Sequence, residues 1–236
     1  MISALVTDFY ELTMMQGYFL QHHNPRVVFD MFYRTNPFNG GYTIFTGLEE
    51  LVTILENFRF SEEDINYLRS LGKFQESFLE YLASYRFTGD LYAFDEGTPA
   101  FPQEPLIRVE TNMLDAQLIE SVLLNTINFQ TLIATKASRM KLATKSHGSI
   151  MEFGLRRAQG MDGALSASRA CYIGGADVTS NTLAGKEFGI PVAGTMAHSW
   201  IMLFSDEYEA FRAFADIYPD NCILLIDTYA TLGSAI

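Results

Sequence analysis

Residues 190–200 read Ile-Pro-Val-Ala-Gly-Thr-Met-Ala-His-Ser-Trp, which sets the Thr195 hydroxyl and the His198 imidazole just beyond an apolar lead-in. A neutral imidazole there could move a proton or attack an electrophile such as phosphorus. It could equally be a core histidine with one ordinary hydrogen bond, and composition alone leaves both readings open. Other apolar runs of the C-terminal part are also followed by polar groups. Arg156 and Arg157 come after residues 148–153, Asn181 comes after 176–180, and Asp227 closes 222–227. Guanidinium forks match phosphate oxygens, while an amide, a hydroxyl and a carboxylate can orient a polar ligand. No member of this set is diagnostic alone, but a polar residue after each of several runs is more specific than any one of them.

The runs themselves read as strands alternating with helices. Residues 148–153, 176–180, 190–195 and 222–227 are strand-like, the last as a strongly buried strand, and 162–173, 181–189 and 205–218 are helical between them. This alternation predicts parallel strands with crossover helices, whose ligands gather beyond the strand C-termini. Four strands fit before the sequence stops, and a closed (β/α)₈ barrel needs twice that number. The expectation is therefore an open sheet or the front part of a longer protein. Residues 1–112 have a different rhythm. Strands at 26–34, 89–97 and 105–111 flank helices at 47–58 and 61–72, the latter capped by Ser61 with Asp64 in its first turn. Residues 113–145, without Gly or Pro, predict a long helix joining an N-terminal α+β domain (1–112) to an α/β domain (146–236).

The 236-residue chain is 48% hydrophobic and only 19% charged, which allows a substantial core and argues against disorder. Its net charge of −12 argues against broad nucleic-acid or anionic-membrane binding. A local basic island nevertheless runs through Lys136, Arg139, Lys141, Lys145, Arg156, Arg157 and Arg169, and would suit a small anion; Lys141 and Lys145 read better as a solvated helix face. The Gly174–Gly175 and Ala184–Gly185 pairs could let a phosphate approach the backbone, but they lack a nucleotide-binding spacing. Tyr10 lies on a helix opened by Thr7 or Asp8, where an aromatic is more often core than ligand platform. His22, His23 and His147 need no catalytic role. Cys171 and Cys222 show no metal-binding or redox spacing and read as reduced thiols. No basic leader and no apolar run of roughly 20 residues is present, so a cytoplasmic protein is expected.

The segments "TDFYELTMMQGYF", "NPFNGGYTIFTGLEE", "NTINFQTLIATKASR", "EFGLRRAQGMDGALSASRACYIGG", "TSNTLAGKEFGIPVAGTMAHS" and "LLIDTY" resemble the nicotinate phosphoribosyltransferase family, in order and over essentially the whole chain. "EFGLRRAQG" and "GTMAHS" carry most of that resemblance. It implies an N-terminal α+β domain followed by the first half of an irregular type II phosphoribosyltransferase (β/α) barrel, working as a homodimer with shared active sites. The implied reaction moves 5-phosphoribose from phosphoribosyl pyrophosphate to nicotinate, with Mg²⁺ on the phosphates and ATP hydrolysis coupled through a phosphohistidine.

By motif, His198 would take the phosphoryl group, and Thr195 would sit beside the nicotinate carboxylate. Phe153 would stack on the pyridine ring, with Tyr10 of a partner subunit on its other face. Arg156 would hold phosphate, and Asp227 would hold ribose hydroxyls or metal-bound pyrophosphate. Asn181, uncharged where the nicotinamide-using relative has an aspartate, would favour the acid as substrate. The sequence departs from the family pattern at Ala230, where an acidic residue is usual, and in stopping at Ile236. The expectation is that the 236 residues alone are a fragment or one of two complementary chains, at best weakly active. The rival readings are a related transferase using nicotinamide, and a truncated homologue serving only as an interaction module.

Overall fold

Helix α1 (Phe9–Leu20) begins the ordered elements of a computed structural model that describes residues 2–145 and 147–235. The segments predicted as strands at 26–34, 89–97 and 105–111 form a three-stranded antiparallel sheet, with the first two shorter than predicted: β1 (Arg26–Met31), β3 (Asp90–Ala93) and β5 (Ile107–Asn112), in the order β1-β5-β3. The register pairs Phe29 with Val109 and Leu91 with the same valine. Successive side chains alternate between faces, so Met31, Ile107 and Val109 are buried. Arg26, Asp30 and Arg108 point outward, where Arg108 pairs with Asp30 at 2.8 Å and Arg26 with Asp90 at 3.2 Å. Two-residue strands β2 (Thr43–Ile44) and β4 (Pro99–Ala100) form a separate antiparallel pair.

Helices α2 (Leu48–Glu56), α3 (Glu62–Ser70) and α4 (Glu76–Ala83) lie between β2 and β3. The start of α3 is fixed as its sequence predicts. The Asp64 N–H donates to the Ser61 hydroxyl at 3.1 Å, and the Ser61 N–H donates back to the Asp64 carboxylate at 2.8 Å, a reciprocal capping box. Helix α4 was not anticipated; Gln75 at its N-cap gives no side-chain bond, so the usual start signal is missing. Phe45, Phe58, Phe78, Leu79 and Leu82 are among the fully buried side chains of one apolar cluster that extends from Ala4 to Ile127.

The predicted single helix over 113–145 is two: α5 (Met113–Leu118), capped by the Asn112 carboxamide, and α6 (Glu120–Ala143), joined at Ile119. Beyond it, β6 (Met151–Glu152) pairs in parallel with β7 (Val178–Thr179), and Thr179 bridges Val192, also in parallel. Helix α7 (Met161–Ile173) crosses between β6 and β7, and α8 (Thr182–Phe188) follows β7. The parallel order of the first three segments thus matches the sequence reading, although the ladders are short. The fourth does not. Residues 222–227 join no ladder among the described residues, and Ile223 and Leu224 are exposed. A strand this apolar needs cover on both faces, and nothing in the described chain supplies it. Short helices α9 (His198–Met202) and α11 (Thr231–Ser234) flank α10 (Glu207–Ile217), which Asp206 caps at 2.8 Å.

Helix α7 reaches α6 through small residues. Ala134 and Ala170 are fully buried together, and a Cβ at Gly174 would run into the Ala134 backbone. Gly174 is therefore a packing residue, as is Gly185, where a Cβ would strike Val192. The two glycine pairs read as possible phosphate approaches serve, at these positions, close helix packing instead. Gly174→Ala is expected to lower stability by roughly 1–3 kcal/mol through overpacking, measured by thermal unfolding. Gly41→Ala, with nothing within 4 Å of the new methyl, serves as the near-neutral control.

Candidate active site

The parallel pairing of β6, β7 and the 192 bridge puts the trailing ends of these segments on one side. Phe153 follows β6 directly and is half-exposed, and the next residues, Leu155–Arg157, make a 3₁₀ turn. The Arg157 N–H donates to the Gly154 carbonyl at 2.8 Å, which closes this turn. Arg156 and Arg157 are exposed, and among the described residues neither guanidinium has a partner.

On the third segment, the Thr195 hydroxyl donates to the Ile223 carbonyl at 2.7 Å and so pulls residues 222–227 alongside. That contact brings Asp227 and Thr228 to His198. The imidazole Nδ1 lies 3.2 Å from the Thr228 hydroxyl, and Nε2 lies 3.9 Å from the Asp227 carboxylate. His198 is 53% exposed on its side chain, so the core-histidine reading fails: both ring nitrogens have polar neighbours and solvent reaches them. The sequence placed His198 in a strand-end loop, and the structure makes it the first residue of α9. Thr228 was not singled out; its only signal was adjacency to Asp227.

Asn181 stands apart from this exposed group. It is the N-cap of α8 and is buried, with its carbonyl accepting from the Ala184 N–H at 3.3 Å and its amide donating to Ser168 Oγ at 3.2 Å. Both ends of its side chain are therefore engaged by the protein. Tyr10 is half-exposed on α1, its hydroxyl 3.4 Å from Glu120, so the core reading of this aromatic does not hold. The surrounding carboxylates, Glu11 foremost, push its phenol well above the ordinary value. Glu11 itself is fully buried and takes a hydrogen bond from the Gln117 amide; burial raises its carboxyl.

The basic island is largely spent on the fold. Arg169 pairs with Glu96 at 2.6 Å and also with Glu49, its side chain only 12% exposed. Lys141 does not lie on a free solvated face but holds Asp177 through both carboxylate oxygens at 2.8 Å. Arg139 donates to the Phe38 carbonyl, and Lys136 sits 5.2 Å from the Phe38 ring centroid. Arg156 and Arg157 are left as the cations of this island free for an external anion, together with a cavity of about 460 Å³ that Arg157, Lys136, Glu152 and Cys171 help to line. Burial first, and then the Glu152 charge, push the Cys171 thiol up to about 12. Among the described residues no group of three or more His, Cys, Asp or Glu side chains could hold a metal, and no helix is long and apolar enough to cross a membrane.

Residues 5–128 match the family model described as the nicotinate phosphoribosyltransferase N-terminal domain, which is more than half of the chain. The chain belongs to the nicotinate phosphoribosyltransferase family. Nicotinate phosphoribosyltransferases of Mycobacterium tuberculosis and Bacillus subtilis are each 45% identical to it over 98% of its length, and it covers 50% and 47% of theirs. The chain thus spans about half the length of these curated relatives. In solved structures, the human nicotinic acid phosphoribosyltransferase superposes with a TM-score of 0.88 at 33% identity, over 95% of this chain and 55% of that one. A nicotinate-nucleotide pyrophosphorylase from Pyrococcus furiosus superposes at 0.76 and 26% identity, over 96% of this chain and 51% of that one.

The Arg169–Glu96 pair gives a direct test of how the island is used. Burial alone would raise the Glu96 carboxyl, but Arg169 and the Gly47 N–H outweigh it and hold it below its ordinary 4.5. Arg169→Ala, leaving that carboxylate buried and unpaired, is expected to cost about 3 kcal/mol, read by denaturant unfolding. A group with a depressed folded pKa contributes fully above its unfolded value, so the gap to wild type should be complete above pH 4.5 and narrow as pH falls below it.

Proposed function

We propose that this chain supplies the acceptor and phosphohistidine side of a nicotinate phosphoribosyltransferase, which moves 5-phosphoribose from phosphoribosyl pyrophosphate to nicotinate with ATP hydrolysis. The observation that carries this reading is the meeting of His198, Thr228 and Asp227 at solvent, beyond the same parallel segments that present Phe153 and Arg156. In this reading residues 1–112 form an α+β domain, 113–145 the connecting helical segment, and 146–236 the first half of a type II barrel. Tyr10, exposed on α1, reaches a shared site across a homodimer.

The chemistry follows from the groups in place. An unprotonated imidazole nitrogen of His198 attacks the terminal phosphorus of ATP, forming an N–P bond as the bond to ADP breaks; water later hydrolyses the phosphohistidine. Thr228, at Nδ1, orients the ring, and Asp227 favours the positive charge that the imidazole gains on attack. In the transfer step the pyridine nitrogen attacks the anomeric carbon as pyrophosphate departs. That nitrogen carries no proton, so the step needs no general base. Arg156 stabilises the leaving phosphates, and Phe153 with the partner's Tyr10 holds the ring flat for in-line attack. Thr195 stands at the nicotinate carboxylate. Asn181 acts indirectly, because an uncharged side chain at this buried cap leaves no negative charge beneath the acid. Magnesium carried on substrate phosphates needs only one or two protein carboxylates; the exposed Asp227 fits that need, and the ion would neutralise phosphate charge.

A second reading, that the chain serves only as an interaction module, is favoured by the exposure of Leu203 at 78% and Leu232 at 84%. Exposed apolar surface of this kind seeks cover. Incubation with ATP, phosphoribosyl pyrophosphate and either nicotinate or nicotinamide separates the readings. Nicotinate mononucleotide formation, with the acid preferred over the amide, supports the enzyme; no turnover, with self-association on size exclusion, supports the module. His198→Ala is expected to abolish phosphohistidine, detected by phosphorus NMR, and to leave at most slow transfer without ATP consumption. Phosphohistidine retained in that variant defeats the assignment.

A further inference from the structure

We infer that Glu152 is a positioning residue that locks the Phe153–Arg156 turn and the Asn181 cap into one rigid piece. Its carboxylate joins three segments directly. The Thr179 hydroxyl donates to Oε2 at 2.6 Å from β7, and the Ser168 hydroxyl donates to the same oxygen at 3.0 Å from α7. Oε1 takes the Gly154 N–H, immediately after Phe153. The ring closes through Asn181, whose backbone N–H donates to Thr179 Oγ1 at 3.0 Å and whose side-chain amide donates to Ser168 Oγ at 3.2 Å. Ser168, Thr179 and Asn181 are all buried, at 1%, 1% and 4% exposure.

The direction of these bonds is fixed by inventory. A carboxylate only accepts, so each hydroxyl spends its single proton on Glu152 and keeps lone pairs for the two Asn181 N–H groups. Ser168 Oγ also lies 3.0 Å from the Ala164 carbonyl, but the charge-assisted bond to Glu152 is the stronger claim on its proton. Glutamine is a poorer fit. With its oxygen on the Gly154 N–H, its NH₂ would turn both hydroxyls into acceptors; Ser168 could then redirect its proton to the Ala164 carbonyl, but the Thr179 proton would lose its carboxylate acceptor. A Cβ at Gly154 would sit 2.8 Å from Glu152 Oε1, so a side chain between Phe153 and the arginine turn would push the carboxylate off its partners. From Gly154 the restraint passes on, since its carbonyl holds the Arg157 N–H.

This inference rests on the reading that Phe153 faces nicotinate, and two separate readouts on the 236-residue chain keep the claims apart. Amide hydrogen exchange tests the lock without any ligand. Glu152→Gln is expected to speed exchange across residues 153–157 by at least about tenfold, the worth of a charge-assisted hydrogen bond, while helices α1 to α4 keep wild-type protection. Calorimetric titration with nicotinate tests the consequence: Glu152→Gln should weaken binding about tenfold with the melting temperature of the N-terminal core unmoved. Phe153→Ala should weaken binding with Asn181 protection intact. Thr179→Val, which keeps the shape but removes both the donor to Glu152 and the acceptor of the Asn181 N–H, should show both Glu152→Gln effects together with loss of Asn181 protection, and carries the test if Glu152→Gln does not fold. Unchanged exchange over 153–157 overturns the lock. Faster exchange with unchanged nicotinate affinity overturns the positioning role. Nicotinate binding insensitive to Phe153→Ala, or absent from wild type, overturns instead the reading of Phe153.

Discussion

The contact of α7 with α6 is the constraint on which the C-terminal part of the molecule depends. Ala134 and Ala170 meet without room for larger side chains, and Gly174 lets the end of α7 lie on the α6 backbone. Arg169, one residue before Ala170, fastens the same helix to Glu96 and Glu49 on the N-terminal side. With α7 fixed in this way, β6 and β7 at its two ends have little freedom. Removing one partner of a buried ion pair is costly, so Arg169 is committed to holding α7 against Glu96 and Glu49. Among the described cations of the basic island, those on the turn after β6 are left without a protein partner.

Much of this could be read from local pattern. β-Branched and aromatic residues between turn formers announced strands at 26–34 and 105–111, Ser61 with Asp64 announced a helix start, and the run from 113 onward announced helix. These are signals a chain segment carries by itself. The resemblance in "EFGLRRAQG" and "GTMAHS" is borne out by family membership, since these motifs are dense in specific residue types. Where the reading failed, the deciding partner lay elsewhere in the chain. Residues 222–227 have the composition of a buried strand, but burial needs covering elements that their own sequence does not provide. The basic island looked free because Glu96, Glu49 and Asp177 lie far from it or off its line of sight in sequence.

The candidate site divides along the same line. His198, Thr195, Arg156 and Asp227 could be selected as residues following apolar runs, and the structure gathers three of them around the Thr195–Ile223 contact. Asn181 was read as facing ligand, yet its amide is turned inward because a helix N-terminus needs its unpaired N–H groups satisfied. Glu152, Ser168 and Thr179 are common residue types with no shared spacing. Only the parallel register of Glu152 on Thr179 makes them neighbours.

Cys171, beside the cavity under that turn, keeps its proton far above neutral pH because burial and the Glu152 charge both oppose a thiolate. Sulfur reacts with peroxides and electrophiles as the anion. Peroxides and alkylating reagents are therefore expected to modify this sulfur, which faces the α6–α7 cavity, more slowly than an ordinary cysteine thiol.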